Sequence, residues 1–236
     1  MKEIDKLRKK IDLIDFKILS LLNKRTEIVK KIGKEKKSIN LFRPERQALI
    51  LKKLLNKSIN NIKPHFILAL WRSIFFSQTE IQGGIKLVML KSMSDNDIKK
   101  VYDYFSHDIK IYFFNSFSKA INELKSGKNT FMIMPYPVNT HQKNWWTRKE
   151  IKNIYIIAAL PFFVQKNKKP SLVVLSKFKP KIDKDSFMIY KSNFLFKEKE
   201  LYLEAKSSKS YLYRSSSLIK KRNIKLFGVA PKNYEI

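Results

Sequence analysis

The sequence predicts an α + α/β chain, with a three-helix part over residues 1–82 and a mixed or parallel-sheet α/β part over residues 85–236. Three observations predict it. Apolar residues recur at alternating steps of three and four from Ile4 through Leu7, Ile11, Ile14, Ile18, Leu21 and Ile28 to Ile32, the spacing of an amphipathic helix with a near-heptad seam. The pair Gly83-Gly84 breaks the helical pattern and marks a joint. Beyond it, short apolar runs alternate with amphipathic segments, which implies strands joined by helices and a parallel sheet.

In order, the first helix is expected over residues 3–37, with Gly33 near its end. Arg43-Pro44 opens a second helix, where proline is tolerated in the first turn, and Ala48, Leu49, Leu51, Leu54 and Leu55 give it an apolar face to about Asn56. The polar run from Lys57 to Lys63 is a turn. Pro64 starts a third helix, with Phe66, Ile67, Leu70, Trp71, Ile74, Phe75 and Ile81 as its core residues. Strands are expected at 85–90, 109–114, 131–134, 154–160, 172–175, 187–190 and 224–229, and helices at 95–105, 116–126 and 210–222. The last helix is expected to turn Tyr211, Leu212 and Leu218 inward.

The first helix carries the chemistry. Arg25 stands where the seam calls for an apolar residue, and Arg8, Asp15, Leu22, Val29 and Lys36 form the row beside it. An unpaired buried charge is costly, so a cation set into a buried face either stands uncompensated or holds an anion, and for Arg25 the anion is the reading taken. Arg25 and Lys36 are about 16 Å apart at ~1.5 Å per residue, within reach of one small ligand held between two long side chains. Arg8 and Lys36 are about 42 Å apart by the same rise, so they cannot share a ligand on one straight helix. Arg8 belongs to such a site only if it arrives from a second, antiparallel copy. Two short helices cannot cover the first one, which also predicts a homodimer. The competing reading of Arg8 and Lys36 is that of solvated flank charges.

Composition narrows the classes. The 236 residues are 44% hydrophobic, with 17 Phe and 10 Tyr, enough for substantial cores. There is no cysteine, so disulfides and thiolate metal sites are excluded. His65, His107 and His141 stand far apart, without metal-binding spacing. No apolar run of 18 residues occurs and no apolar leader follows the first Met, so a soluble, cytoplasmic protein without membrane contact is expected. The net charge of +30 suggests nucleic acid, but its distribution does not. Residues 1–82 hold 20 Lys/Arg against 8 Asp/Glu and the rest 30 against 12, so both parts are basic at similar density. Only 8 of the 50 cations are Arg, the residue used for bidentate base contacts. No specific nucleic-acid partner is expected.

The order LRKKIDLIDFKILSLLNKR, GKEK, then RPER before a helix resembles the all-helical class of chorismate mutase, over residues 1 to about 82. The resemblance implies an intertwined dimer and the rearrangement of chorismate to prephenate, with no cofactor and no metal. It implies that Arg25 binds one substrate carboxylate and that Arg8 of the partner chain binds the other. Lys36 and Gln82 donate to the ether oxygen, and Arg46 stands at the family's second-helix arginine. Three positions depart from the pattern. Arg43 replaces an acid, Gln47 replaces the glutamate that bonds the ring hydroxyl, and Gln78 replaces a serine; all three remain candidate substrate-binding residues. Gln78 and Gln82, four apart, share a helix face.

Residues 85–230 faintly resemble the α/β fold of prephenate dehydratase, through Phe131–Thr140, FMIMPYPVNT. Pro135, Asn139 and Thr140 sit near the family's Pro-x-x-Asn-Ser/Thr loop. The family's Thr-Arg-Phe catalytic motif is missing; Thr147-Arg148 and Ser176-Lys177-Phe178 each hold only part of it. The expected layout is a mutase with a degenerate, non-catalytic dehydratase-like domain, as in some alphaproteobacterial chorismate mutases. The alternatives are a bifunctional mutase/dehydratase and a non-enzymatic basic nucleic-acid-binding protein. Trp145-Trp146 either pack or line a pocket.

Overall fold

The structure is a computed structural model that describes residues 2–35, 41–57, 62–138, 144–166 and 168–235. Three helices come first: α1 (Glu3–Glu35), α2 (Pro44–Lys57) and α3 (Pro64–Ile81). Glu3 and Asp5 in the first turn of α1 and Lys34 in its last complement the helix dipole. Gly83 and Gly84 close α3 with φ of 112° and 68°, which explains glycine at both places.

The rest alternates strands and helices: β1 (Lys86–Leu90), α4 (Asp95–Tyr104), β2 (Lys110–Phe114), α5 (Phe117–Ser126) and β3 (Thr130–Pro135). Ser94 caps α4, its hydroxyl accepting from the Asp97 amide. Then follow β4 (Tyr155–Leu160), β5 (Phe163–Val164), β6 (Leu172–Ser176), β7 (Ser186–Ser192), β8 (Tyr202–Ser207), β9 (Ser210–Ser215), β10 (Ile224–Pro231) and β11 (Tyr234–Glu235). Nine strands form one sheet in the order β2-β1-β3-β6-β4-β10-β7-β9-β8, and β5 pairs with β11 in a small second sheet. The expected parallel pairing holds for β1 with β2 and β3 and for β4 with β10, while β6, β7, β8 and β9 run antiparallel to their neighbours. Gly228 sits where β10 meets β4; a Cβ there would lie 2.5 Å from the Ile156 carbonyl oxygen.

One expected element is wrong. Residues 210–222 are not a helix: β8 and β9 form a hairpin, and the chain after Ser215 is irregular. Ser210 to Ser215 alternates as a strand does, with Leu212 buried and Tyr211 partly exposed. Tyr favours pleated surfaces, and Leu218, read as inward, is 51% exposed.

Side chains alternate between the two sheet faces. Leu87, Met89, Phe131, Ile133 and Val174 share a core with Leu41, Phe42, Ala48 and Leu51 of the α2 region, with Leu68 and Phe75 of α3, and with Val101 and Tyr104 of α4. Val88, Met132, Val173 and Leu175 pack on the opposite face with Ile121 and Leu124 of α5. The turn from β1 outward to β2 and back to β3 sends α4 and α5 to opposite faces. Helices α2 and α3 therefore share one continuous core with the sheet. Helix α1 differs, because none of its residues is buried.

Candidate functional site

A cavity of about 360 Å³ lies where α1, α2 and α3 meet. Leu22, Arg25, Thr26, Val29 and Gly33 are the partly covered residues of the distal half of α1. Leu22 and Val29 of the row beside the seam, together with Arg25, are thus on the covered side of α1, whereas Leu21 and Ile28 of the seam itself remain 64% and 59% exposed. Arg25, Val29 and Gly33 follow at steps of four and line the cavity together. Phe75, Gln78, Thr79 and Gln82 supply the α3 wall at steps of three and four. Arg43, Arg46, Gln47 and Ile50 supply the α2 wall.

The electrostatics are one-sided. Three arginines and three glutamines line the cavity, with no carboxylate among the described lining residues. Burial, with Arg46 as a second cation nearby, lowers the Arg25 pKa from its usual value. Arg25 Nη1 is buried and has no hydrogen-bond partner, and its guanidinium lies 5.7 Å from the centroid of the Phe75 ring. Gln78 is 6% exposed and its Oε1 is likewise buried and unbonded. Unmet buried polar groups are expensive, and these two atoms leave a donor and an acceptor free beside the cavity. Gln82 Nε2 donates to the Val29 carbonyl at 3.0 Å, and an amide NH₂ has a second donor to offer. Arg43 is held by Glu45, whose Oε1 accepts from Nε at 2.8 Å and lies 2.8 Å from Nη2.

Six expected site residues are thus brought together: Arg25, Arg43, Arg46, Gln47, Gln78 and Gln82. Lys36 lies outside the described residues. Arg8 is not at the cavity; its side chain is 72% exposed and pairs with Asp5 at 3.7 Å, about 26 Å up the helix from Arg25 at ~1.5 Å per residue. Sequence reasoning missed Val29, Gly33, Phe75, Thr79 and Glu45. The steps from Arg25 to Val29 and Gly33 carried a signal for the first two; nothing local marked the others. A Cβ on Gly33 would lie 3.6 Å from the Gln82 side chain, in ordinary contact with it.

A second cavity, of about 390 Å³, opens at the carboxyl ends of β1 and β3, lined by Leu90, Ser92, Asp97, Pro135, Trp145 and Arg148 among others. Trp145 both packs and lines a pocket, donating from Nε1 to the Pro135 carbonyl at 3.0 Å. Trp146 is fully buried. Thr147 and Arg148 also line this cavity, while Lys177 is occupied with the carbonyls of Lys125 and Gly127. Asn139, Thr140 and His141 lie outside the described residues. Among the described residues, no cluster of His, Asp and Glu could hold a metal, and no helix is long and apolar enough to cross a membrane.

A bifunctional chorismate mutase/prephenate dehydratase of Aquifex aeolicus (strain VF5) is 38% identical over 96 residues, covering 38% of this chain. The chain spans only about a quarter (26%) of that protein's length. Among solved structures, the quorum-quenching acylase GqqA aligns over 62% of this chain and 94% of its own, with TM-score 0.43 and 8% identity. Prephenate dehydratase from Streptococcus mutans aligns over 64% of this chain and all of its own, with TM-score 0.39 and 13% identity. Residues 7–83, which hold α1 beyond its first turn, α2, α3 and the whole of the first cavity, match the chorismate mutase type II family, as the resemblance of the helical part implied.

Proposed function

We propose that the chain is a homodimeric chorismate mutase that rearranges chorismate to prephenate in aromatic amino acid biosynthesis in the cytoplasm. The observation that carries this is the half-buried Arg25, its Nη1 unbonded, beside Arg46 in a cavity with no carboxylate among its described lining residues. The substrate is a flexible dianion. In the reaction one C–O bond breaks as one C–C bond forms within the same molecule, so no nucleophile or general base is needed. The protein's task is to hold a folded conformer and to stabilise charge developing on the ether oxygen. Arg25 suits a carboxylate, because the guanidinium fork matches it bidentately. Gln82, with Lys36, donates to the ether oxygen. Gln47, Gln78, Arg43 and Arg46 line the remainder, Gln47 meeting the ring hydroxyl without the charge of a glutamate.

The dimer follows from the face that α1 leaves uncovered. Ile4, Leu7, Ile11, Ile14, Ile18, Leu21 and Ile28 are 48–64% exposed in the single chain. A second copy laid antiparallel covers that face and delivers Arg8.

Incubating the purified protein with chorismate tests the reading: prephenate should form, and decay of chorismate at the uncatalysed rate rejects it. A bifunctional mutase/dehydratase is the second reading, favoured by the Aquifex relative's name. We take residues 85–236 to be a domain without that second activity, since the Thr-Arg-Phe motif is missing. Phenylpyruvate formed from prephenate at neutral pH above the uncatalysed rate rejects that assignment.

A further inference from the structure

The arginines of the cavity have different supports. Arg25 comes from α1, which buries none of its residues. Arg46 comes from α2 and Arg43 stands just before it, and the other face of α2 is fixed to the sheet. Ala48 and Leu51, at 1% and 0% exposure, enter the core shared with β1 and β3. Lys52 ties the middle of the helix, donating from Nζ to Asp185 Oδ1 at 3.3 Å and lying 4.7 Å above the Tyr234 ring.

The tightest fixing point is Phe42, the residue before Arg43. It is 2% exposed. Its ring stands 5.4 Å from that of Phe105, at the end of α4, and 5.5 Å from that of Phe131, on β3. Neighbouring Leu41 lines the cavity and belongs to the same core. Phe75 of α3 does both as well. Three aromatic rings, two of them from the sheet part, thus set where α2 begins and hence where Arg43, Arg46 and Gln47 stand.

We propose that residues 85–236 act as a positioning scaffold for the cationic wall of the cavity, through the contact of Phe105 and Phe131 with Phe42. This rests on the mutase reading for its substrate but gives the sheet part a role of its own. Phe42, Phe105 and Phe131 are positioning residues, since none lines the cavity. A wall displaced by about 1 Å can cost 10²-fold in a reaction that depends on substrate orientation.

The test compares two core truncations in the full-length chain. Phe42→Ala removes the grip on α2. Leu124→Ala empties the opposite face of the sheet, where Leu124 is fully buried among α5 and strand residues. Both should lower the thermal midpoint. Expressed per folded protein, Phe42→Ala should lower kcat/KM 10- to 100-fold, Phe42→Leu should keep it within about threefold, and Leu124→Ala should keep it within about twofold. Equal kcat/KM for the Phe42→Ala and Leu124→Ala proteins overturns the proposal. If the wild-type chain leaves chorismate unchanged, the mutase reading falls. Calorimetric titration with chorismate then judges the scaffold, through tenfold weaker binding by Phe42→Ala and unchanged binding by Leu124→Ala. A wild-type chain that neither converts nor binds chorismate overturns both.

Discussion

Gln82 Nε2 donates to the backbone carbonyl of Val29 over 3.0 Å, joining the end of α3 to a helix 53 residues earlier in the chain. This bond fixes the amide that we propose donates to the ether oxygen. Replacing Gln82 with Ala removes one hydrogen bond of about 1 kcal/mol from the fold. On the proposed mechanism it also removes a donor to the ether oxygen, an effect of about 10²–10³ in kcat. Steady-state kinetics beside a denaturation curve should therefore show a large loss of rate with a small loss of stability. Equal turnover in the variant would remove Gln82 from the set of ether-oxygen donors.

Arg25 should separate rate from stability more sharply. Its Nη1 is buried without a partner, so the free protein carries part of the cost of that charge. Arg25→Ala is expected to lower kcat/KM by 10²–10³, about 3–4 kcal/mol of transition-state stabilisation, while the urea midpoint holds or rises. A variant that unfolds would show that the guanidinium supports the helix pair instead.

Alkaline pH should weaken the fold through its buried tyrosines. Burial raises the pKa of Tyr104 and Tyr136 well above the ordinary value, and in the fold both therefore keep their protons to higher pH than in the unfolded chain. Their contribution is fully present below about pH 10 and is lost as pH rises past that value. Tyr104 also has a buried hydroxyl without a partner, with the Arg72 guanidinium 4.6 Å from its ring centroid. Tyr104→Phe should be neutral or stabilising by up to about 1 kcal/mol at pH 7, with a smaller loss of stability between pH 9 and 11. Urea titrations of both proteins across that range check this; an unchanged alkaline slope would acquit Tyr104.

Much of the helical part was legible because its signals are local. Pro44 and Pro64 mark helix starts, Gly83-Gly84 marks an end, and the three-four spacing places Arg25, Gln78 and Gln82 on facing surfaces. The shared core of α2, α3 and the sheet was not legible. Phe42, Leu51 and Phe75 meet residues far along the chain, and no periodicity names a partner. The hairpin of β8 and β9 was missed for a related reason. A short run such as SYLYRS carries too few residues to separate period two from period 3.6, and its cross-strand partners lie outside it.

The dimer gives the most discriminating outcome. Arg8, exposed and paired with Asp5 at 3.7 Å, stands about 26 Å from Arg25 along the helix at ~1.5 Å per residue. It can serve the cavity only across a two-fold axis, where the exposed apolar face of α1 meets its copy. In the dimer we propose, there are two composite sites, each with Arg25, Lys36, Arg46 and Gln82 of one chain and Arg8 of the other. Arg8→Ala and Lys36→Ala homodimers should both be nearly inactive. When they are mixed and their subunits exchanged, one site of each heterodimer carries both lesions and the other carries neither. Activity should return toward half the wild-type sites per heterodimer. If exchange is verified by mass and no activity returns, the sites are not shared, and Arg8 is a solvated charge at the start of α1.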